Sequence, residues 1–180
     1  MTHKAFLGLG SNLDNRLWFL LQTVRFIRRT PSVRILNLSS IYETEPFGNK
    51  NQRDFLNAVL EIETSFRPGK LLEWLKFIER KVGRVNRGHW APREIDIDIL
   101  LYDDLQIRLP WLQIPHPGLP HRQFVLMPLA EIAAFLRVPG QGGTVQELLF
   151  ACRDQGRVSL LVPREELLVE FLSVPEEVPL

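Results

Sequence analysis

The chain has 180 residues, which suits one domain large enough to bury a substantial core. Its 45% hydrophobic and 24% charged residues are typical of a globular protein, and a net charge of +1 argues against a protein that coats nucleic acid. A single cysteine excludes an intrachain disulfide, and no apolar run is long enough for a signal peptide or a membrane span, so we expect a cytoplasmic protein.

Hydrophobic periodicity up to residue 102 predicts the order strand, helix, strand, strand, helix, strand. The strands are expected at about residues 5–10, 33–43, 54–64 and 93–102. The first helix is capped by Ser11, Asn12 or Asp14, and the second begins at Pro68 and ends at Gly83. This βαββαβ order predicts an α+β fold of the ferredoxin-like type, with helices packed on one face of an antiparallel sheet.

The second half of the chain gives weaker signals. A helix is expected at 122–134, and Thr144 with Glu147 forms a capping box at the start of another. From residue 158 onwards, short apolar runs alternate with prolines. We therefore predict a main domain over 1–157 that carries C-terminal helical additions, and an appendage of unknown role over 158–180.

Two aspartates one residue apart, Asp96 and Asp98, alternate with isoleucines in the predicted last strand. The period of two turns both carboxylates to one face and the isoleucines to the core. Side chains two apart on a strand lie roughly 6–7 Å from each other, which suits one or two Mg²⁺ ions held between carboxylates and a bound phosphate chain. The alternative is an edge strand whose charged face prevents aggregation.

The segment that leads into this strand, residues 79–93, carries five basic residues and is broken by two glycines and a proline. Arginine forks bind phosphate oxygens in pairs, while a metal ion screens the phosphate from the carboxylates. Phosphate and magnesium chemistry is therefore the favoured interpretation. A solvated loop with weak surface ion pairs is the alternative, and Trp90 and Pro92 argue against it.

Seven short motifs follow one another along the chain. They are Gly10-Ser-Asn12, Tyr42-x-Thr-Glu-Pro-x-Gly48, Gln52-x-Asp-Phe-Leu-Asn57, Glu79-x3-Gly-Arg84, Trp90-x-Pro-Arg93-x-Ile-Asp-Ile-Asp98, Pro115-His116 and Arg122-x-Phe124-Val-Leu-x-Pro-Leu129. Together they closely resemble 6-hydroxymethyl-7,8-dihydropterin pyrophosphokinase, the folate-pathway enzyme. The resemblance covers roughly residues 4–150 and implies a ferredoxin-like domain that transfers pyrophosphate from MgATP to the pterin hydroxymethyl group, with release of AMP.

The resemblance also implies a role for each matching residue. Asp96 and Asp98 would hold two Mg²⁺ ions that bridge the ATP phosphates, while the catalytic residues Arg84 and Arg93 would hold those phosphates and stabilise charge during transfer. The other ATP-binding residues implied are Glu79, Trp90, His116 and Arg122. The pterin ring would lie between Phe55 and Phe124. The pterin-binding residues implied are Thr44, Glu45, Phe47, Phe55, Asn57, Trp90, Asp96 and Phe124.

Three positions depart from the family pattern where basic residues are common, and they put the strength of ATP binding in question. They are Asn86, His89 and Trp111. The segment 84–92 is expected to be a lid that closes over MgATP and pterin. The reason is that its charged side chains would have no fixed partner before phosphate binds.

Two other functions use similar features. A palm-like nucleotidyltransferase also combines a ferredoxin-like sheet with a diacid, but it needs a nucleic-acid groove that the near-neutral charge disfavours. A pterin- or nucleotide-binding protein that has lost catalysis is the second alternative. We expect small-molecule substrates, no nucleic-acid or membrane partner, and a monomer. We also expect the monofunctional form, since no dihydroneopterin aldolase or dihydropteroate synthase region is fused.

Overall fold

In the computed structural model, which describes residues 1–88 and 91–172, a six-stranded antiparallel sheet carries helices on both faces. The strands are β1 (His3–Ser11), β2 (Val33–Leu38), β3 (Ile41–Thr44), β4 (Phe55–Thr64), β5 (Asp96–Tyr102), β6 (Ile107–Leu109), β7 (Leu112–Ile114) and β8 (Val158–Val162). The helices are α1 (Arg16–Arg28), α2 (Pro68–Val82), α3 (Gln123–Ala133), α4 (Val145–Ala151) and α5 (Arg164–Leu172). β6 and β7 form a separate hairpin.

The order across the main sheet is β5-β1-β4-β3-β8, and β2 pairs with β4 in line with β3. In the pairing of β1 with β5, Gly10 lies opposite Asp96 and Gly8 lies opposite Asp98. The strand predicted to carry the diacid is therefore confirmed. Its two carboxylates lie beside two residues that have no side chains.

Sequence signals place the ends of two helices correctly. Pro68 is the first residue of α2, where its missing N–H has no helical partner to lose, and Gly83 ends the helix with a φ of 116° that favours glycine. At the start of α4, Thr144 and Glu147 form the predicted capping box, in which each side chain accepts a hydrogen bond from the other residue's backbone N–H. Local backbone chemistry sets these boundaries.

The cap of α1 differs from the prediction of Ser11, Asn12 or Asp14. The side chain of Asn15 caps this helix and accepts a hydrogen bond from the Trp18 N–H at 3.2 Å. Asn12 instead exchanges two hydrogen bonds with the backbone of Arg93, at 2.8 and 3.1 Å. This side chain therefore ties the end of β1 to the segment before β5, and the helix begins later.

The single strand predicted over residues 33–43 is wrong, because two serines divide it into β2 and β3. The Ser39 hydroxyl accepts a hydrogen bond from the Val59 N–H at 2.8 Å, and the Ser39 N–H donates to the Val59 carbonyl at 2.9 Å. Ser40 donates its N–H and hydroxyl to the Glu131 carboxylate on α3, at 2.8 and 2.7 Å. At Ser39 and Ser40, side-chain hydrogen bonds therefore replace the regular backbone pairing with β4, which separates β2 from β3.

Two hydrophobic cores lie on opposite faces of the sheet. On one face, alternate residues of β1 such as Leu7 and Leu9 pack beneath α1 and α2. On the other face, Phe6, Val59 and Leu100 pack beneath α3 and α4. The expectation of helices on one face is thus corrected. α3 and α4 cover part of the second face, and polar residues occupy the rest.

The C-terminal segment contributes a strand to the main sheet. β8 pairs antiparallel with β3, from Thr44 opposite Val158 to Ile41 opposite Val162. This strand belongs to the segment that we predicted to be an appendage, so at least its first residues are built into the sheet. In the ranges that the structure describes, no helix has both the length and the apolar character to cross a membrane.

Glu131→Ala is expected to lower the free energy of unfolding by about 1–2 kcal/mol, because one carboxylate accepts hydrogen bonds from Ser40 and from the Tyr42 hydroxyl. Burial, followed by the charge of Glu131, raises the pKa of Tyr42 to about 12, so Tyr42 stays a hydrogen-bond donor over the working pH range. Urea unfolding measures the effect. The exposed Glu73→Ala is the control, and equal changes in the two variants would show that the Glu131 contacts do not join α3 to the sheet.

Candidate active site

A cavity of about 290 Å³ lies beside α3 on the partly covered face of the sheet. Alternate residues of β1, β4 and β5 form its floor, and its walls come from the loop after β3, the segment before β5 and the start of α3. The predicted site residues that line it are Thr44, Glu45, Phe47, Phe55, Asn57, Arg84, Arg93, Asp96, Asp98, His116, Arg122 and Phe124. Residues far apart in the chain therefore meet in one space.

Gly8 and Gly10 of β1 leave space in the cavity because they have no side chains. A side chain at Gly10 would begin 3.0 Å from the Asn57 amide oxygen, and one at Gly8 would begin 3.2 Å from Leu100. Both positions line the cavity, whereas the side chains of Leu7 and Leu9 belong to the core on the opposite face of the sheet. Alternation along the strand thus gives β1 an apolar face and an open face.

Asp96 is held by cationic side chains. Arg93 donates from Nη1 to Oδ2 at 2.7 Å, Arg84 donates from Nη1 to Oδ1, and Lys76 Nζ lies 3.7 Å from Oδ1. Burial opposes ionisation of this carboxyl, but the charges of Lys76, Arg93 and Arg84 outweigh burial and lower the pKa of Asp96. Asp96 is therefore an ionised carboxylate that already has its counter-charges.

Asp98 has a different environment although it lies only two residues away. Partial burial at the cavity floor, followed by the charge of Asp96, raises the pKa of Asp98. His116 Nε2 lies 3.9 Å away, and His116 Nδ1 accepts a hydrogen bond from the Gly118 N–H at 3.1 Å. This bond places the proton of the neutral ring on Nε2, on the side of Asp98. Burial lowers the pKa of His116, which favours that neutral form.

Glu79, predicted to contact ATP, lies behind the cavity and does not line it. Its side chain is 3% exposed, and Oε1 accepts hydrogen bonds from the Ile97 N–H at 2.8 Å and from Lys76 Nζ at 2.6 Å. Its other oxygen lies 2.9 Å from Arg84 Nη1. Glu79 therefore supports the edge of β5 and holds Arg84. Lys76 was missed from the sequence, although its place three residues before Glu79 on one helix was a signal.

The expectation that the loop arginines have no fixed partner is wrong. Arg84 is paired with Asp96 and Glu79, and Arg87 Nη2 lies 2.6 Å from the buried carboxylate of Glu94. The carboxylates of Glu79, Asp96 and Glu94 therefore pair with the arginines that we expected to remain unpaired until phosphate binds. His89 and Trp90 lie outside the described residues. Two further departures from the family pattern, Asn86 and the exposed Trp111, do not line the cavity.

The other end of the cavity is aromatic and amide-lined. Asn57 is buried and donates from Nδ2 to Thr44 Oγ1 at 2.7 Å. The Arg122 guanidinium lies over the rings of Phe47 and Phe124, at 5.3 and 5.9 Å from their centres. Gln52 lines the same wall and was not among the predicted residues, although it begins one of the quoted motifs. A flat ring compound with polar edges matches these walls.

A diacid with arginines at one end of a cavity, and phenylalanines with an amide at the other, suits transfer of a phosphate group to a flat ring compound. The chain belongs to the 7,8-dihydro-6-hydroxymethylpterin-pyrophosphokinase (HPPK) family, whose model matches residues 6–134. The resemblance drawn from the motifs is thus confirmed, and the nucleotidyltransferase alternative is not favoured.

Two bacterial relatives show how far the similarity extends. A Bacillus subtilis protein named 2-amino-4-hydroxy-6-hydroxymethyldihydropteridine pyrophosphokinase is 43% identical over 132 residues, which cover 73% of this chain and 79% of the relative. A Pseudomonas aeruginosa protein of the same name is 37% identical over 156 residues, which cover 87% of this chain and 96% of the relative. The similarity spans most of each protein.

Solved structures support the fold alone. A wild-type Plasmodium falciparum HPPK-DHPS structure with pterin and p-hydroxybenzoate superposes with a TM-score of 0.67 at 18% sequence identity. The match covers 84% of this chain and 42% of that chain, so the chain spans less than half of this larger protein. The antiparallel sheet with helices is therefore shared at low sequence identity.

Asp96→Asn and Asp98→Asn are expected to change the melting temperature of the metal-free protein in opposite directions. Asp96→Asn removes the counter-charge of Arg84 and Arg93 and should lower the Tm by roughly 2–4 °C or more, the shift that 1 kcal/mol gives in a chain of this size. Asp98→Asn removes the repulsion between the two carboxylates and should raise the Tm. The rise should be only about 1–2 °C, because 42% of the Asp98 side chain is exposed to water, which screens the repulsion.

Thermal unfolding in the presence of a chelator measures both effects. The exposed Asp104→Asn, whose side chain lies away from the cavity, is the control and should leave the Tm unchanged. An Asp96→Asn variant that melts at or above the wild-type temperature would contradict the assignment of Asp96 as the residue that neutralises the arginines.

Proposed function

We propose that this chain transfers pyrophosphate from MgATP to the hydroxymethyl group of 6-hydroxymethyl-7,8-dihydropterin, a step of folate biosynthesis. The hydroxymethyl oxygen bonds to the β-phosphorus, the bond from that phosphorus to the α-phosphate oxygen breaks, the hydroxyl proton is released, and AMP leaves. The observation that carries this proposal is the joint cavity, in which the diacid and its arginines share one space with phenylalanines and Asn57. Membership of the family supports the same reaction.

Asp96 and Asp98 fit Mg²⁺ ions that are held jointly with nucleotide phosphates, and we propose two such ions. Mg²⁺ is usually bound by one or two carboxylates, with phosphates and water completing its shell. Within residues 1–88 and 91–172, no group of three or more His, Cys, Asp or Glu side chains is placed to hold a metal ion, so substrate oxygens are needed as ligands. Bound Mg²⁺ would neutralise and orient the phosphate oxygens.

Arg84 and Arg93 turn from Asp96 to the phosphates when MgATP binds. Arg93 Nε is buried and has no hydrogen-bond partner in the described part of the chain, which supports a ligand oxygen at this place. Arg84 keeps a second partner, because the Glu79 carboxylate stays 2.9 Å from its Nη1. The two guanidinium groups then offset the charge that develops on the phosphates during transfer.

His116 and Arg122 contact the triphosphate and the departing AMP. The neutral His116 ring carries its proton on Nε2 beside Asp98, so it can donate to a phosphate oxygen without adding a charge. Arg122 lies between the phosphate end and the phenylalanines, where it stacks on Phe47 and Phe124. We also propose that Glu79 acts on ATP through Arg84, which it holds at 2.9 Å. Trp90 is proposed to contact both substrates.

The pterin ring lies between Phe55 and Phe124, and the polar groups of Thr44, Glu45 and Asn57 pair with its edge. Stacking on aromatic faces suits a flat heterocycle, and a buried amide beside a hydroxyl offers both donors and acceptors. Phe47 and Asp96 line the same cavity, and we propose that Asp96 faces the hydroxymethyl group. This division gives one end of the cavity to phosphate and the other to pterin.

We further infer that residues 1–157 supply every group that touches substrate and that their core is ferredoxin-like. The sheet order β5-β1-β4, with β2 and β3 on the far side of β4, supports this topology. We predict that the protein is a monomer, that it lies in the cytoplasm, and that its only partners are its small-molecule substrates. A binding protein that has lost catalysis is not favoured, and the assay of AMP release tests that alternative directly.

The decisive experiment measures AMP release from MgATP in the presence and absence of 6-hydroxymethyl-7,8-dihydropterin. The proposal predicts AMP and pterin diphosphate in equal amounts, with no product when either pterin or Mg²⁺ is omitted. ADP as the nucleotide product would assign a different phosphoryl transfer, and binding of both substrates without any product would identify a protein that has lost catalysis.

Asp96→Asn and Asp98→Asn are each expected to lower turnover by at least about tenfold, equivalent to 1.4 kcal/mol of barrier, because an amide cannot supply the charge that anchors Mg²⁺. Circular dichroism should show an unchanged fold, and Asp104→Asn should keep wild-type turnover. Retention of more than about a tenth of the activity by either variant of the diacid would contradict the two-metal proposal.

Phe124→Ala and Asn57→Ala are expected to raise the dissociation constant of pterin and to leave that of a non-hydrolysable ATP analogue nearly unchanged. Loss of ring stacking should weaken pterin binding by about 0.5–1.5 kcal/mol. Calorimetric titration of each ligand measures the split, and the exposed Phe150→Ala is the matched control. Equal weakening of both ligands would place these residues in the core and not in the pterin pocket.

A further inference from the structure

We infer that a C-terminal strap, defined as residues 154–162, holds the two walls of the pterin pocket at a fixed separation, with Asp154 and Arg157 as positioning residues. This inference rests on the proposed function. The strap lies beyond residue 134, where the match to the family's model ends, and none of its residues lines the cavity. Its influence on the reaction therefore acts through the residues that it holds.

The strap first extends the sheet towards the pocket. β8 pairs with β3 up to Thr44 opposite Val158, and the Glu45 N–H donates to the Arg157 carbonyl at 3.1 Å beyond the last strand pair. Thr44 and Glu45 both line the cavity. Without β8, the backbone of β3 would have an open edge at the point where it enters the loop over the pterin. The strap thus fixes the backbone of one wall.

Arg157 joins the two ends of that loop. Its Nη2 lies 2.6 Å from Asp54 Oδ2 at the end of the loop, and its Nε lies 3.7 Å from Glu45 Oε1 at the start. Phe47 and Gln52, which line the pocket, lie between these two anchors. One guanidinium group therefore ties the base of the loop, which reduces the number of conformations open to the residues between.

Asp154 reaches a second wall of the pocket, at the start of α3. Its Oδ2 accepts a hydrogen bond from the Gln123 N–H at 3.0 Å, in the first turn of α3, which has no cap from its own preceding side chain. Gln123 stands between Arg122 and Phe124, and both of these line the cavity. Oδ1 of the same carboxylate accepts from the Gly156 N–H at 3.0 Å and turns the chain towards Arg157. A carboxylate at a helix N-terminus is favourable, so this bond holds the start of α3 in place.

Two anchors three residues apart thus connect the Phe47 wall to the Phe124 wall. Among the described residues, the phosphate-binding side chains Arg84, Arg93 and Asp96 form no hydrogen bond or ion pair with the strap. Loss of the Arg157 anchor should therefore weaken recognition of the pterin and leave that of the nucleotide. Loss of the Asp154 anchor should weaken recognition of the pterin more than that of the nucleotide, because Gln123 adjoins both Phe124 and Arg122. This separation of effects distinguishes a positioning role from a general loss of stability.

The test compares Arg157→Gln and Asp154→Ala with Arg153→Gln, a neighbouring exposed arginine that forms no hydrogen bond or ion pair with the described residues. Steady-state kinetics should show a KM for pterin raised about three- to fivefold in each strap variant, the size expected for a partly exposed charge pair or a helix cap. The KM for MgATP should stay within about twofold of wild type in Arg157→Gln, and in Asp154→Ala it should rise less than the KM for pterin. Arg153→Gln should match wild type, and Asp154→Asn, which keeps a capping oxygen, should recover most of the loss.

A double-mutant cycle completes the test. If Arg157 acts through Asp54, the variant that combines Arg157→Gln with Asp54→Asn should resemble either single variant, because the second change removes a partner that is already lost. An unchanged pterin KM in both strap variants, or equal rises of the KM for pterin and for MgATP in Arg157→Gln, would overturn the inference. If wild-type protein forms no AMP from MgATP and pterin, the proposed function itself fails, which is a separate result.

Discussion

The bonds from Arg84 and Arg93 to the Asp96 carboxylate are the interaction on which the rest of the site depends. They bring the segment before β5 against the strand, and Glu79 holds Arg84 from behind. Without substrates, the cavity neutralises its own charges. Under the proposed function, a nucleotide with Mg²⁺ would supply both kinds of partner at once, because the metal would bind the carboxylate and the phosphates would bind the guanidinium groups.

The fold provides the open face that this chemistry needs. α1 and α2 cover one face of the sheet and bury Leu7 and Ile97 beneath them. α3 and α4 cover only part of that second face, and Gly8 and Gly10 leave space beside the diacid. A strand therefore carries the two carboxylates, whereas Arg84, Arg93, His116 and Arg122 lie in loops around the cavity.

Features set by local chemistry were predictable from the sequence. The alternation around Asp96 and Asp98 predicted the strand and its polar face, and Gly83 predicted the end of α2. Features that depend on distant partners were not predictable. The break between β2 and β3 involves Glu131 of α3, whose carboxylate accepts the N–H of Ser40. Glu79 lies outside the cavity because it accepts the Ile97 N–H at the edge of β5. β8 pairs with the free edge of β3, which lies more than a hundred residues earlier in the chain. Hydrophobic periodicity gives no information about which distant strands pair.

The most direct test of the exchange at Asp96 is a calorimetric titration of wild-type protein and Arg84→Gln with Mg²⁺, both alone and with a non-hydrolysable ATP analogue. If Arg84 competes with the metal for Asp96 and then binds phosphate, removing it should tighten binding of Mg²⁺ alone and weaken binding of the Mg²⁺–nucleotide complex. A change in the same direction for both ligands would contradict the exchange, since Arg84 would then act as a fixed part of only one site.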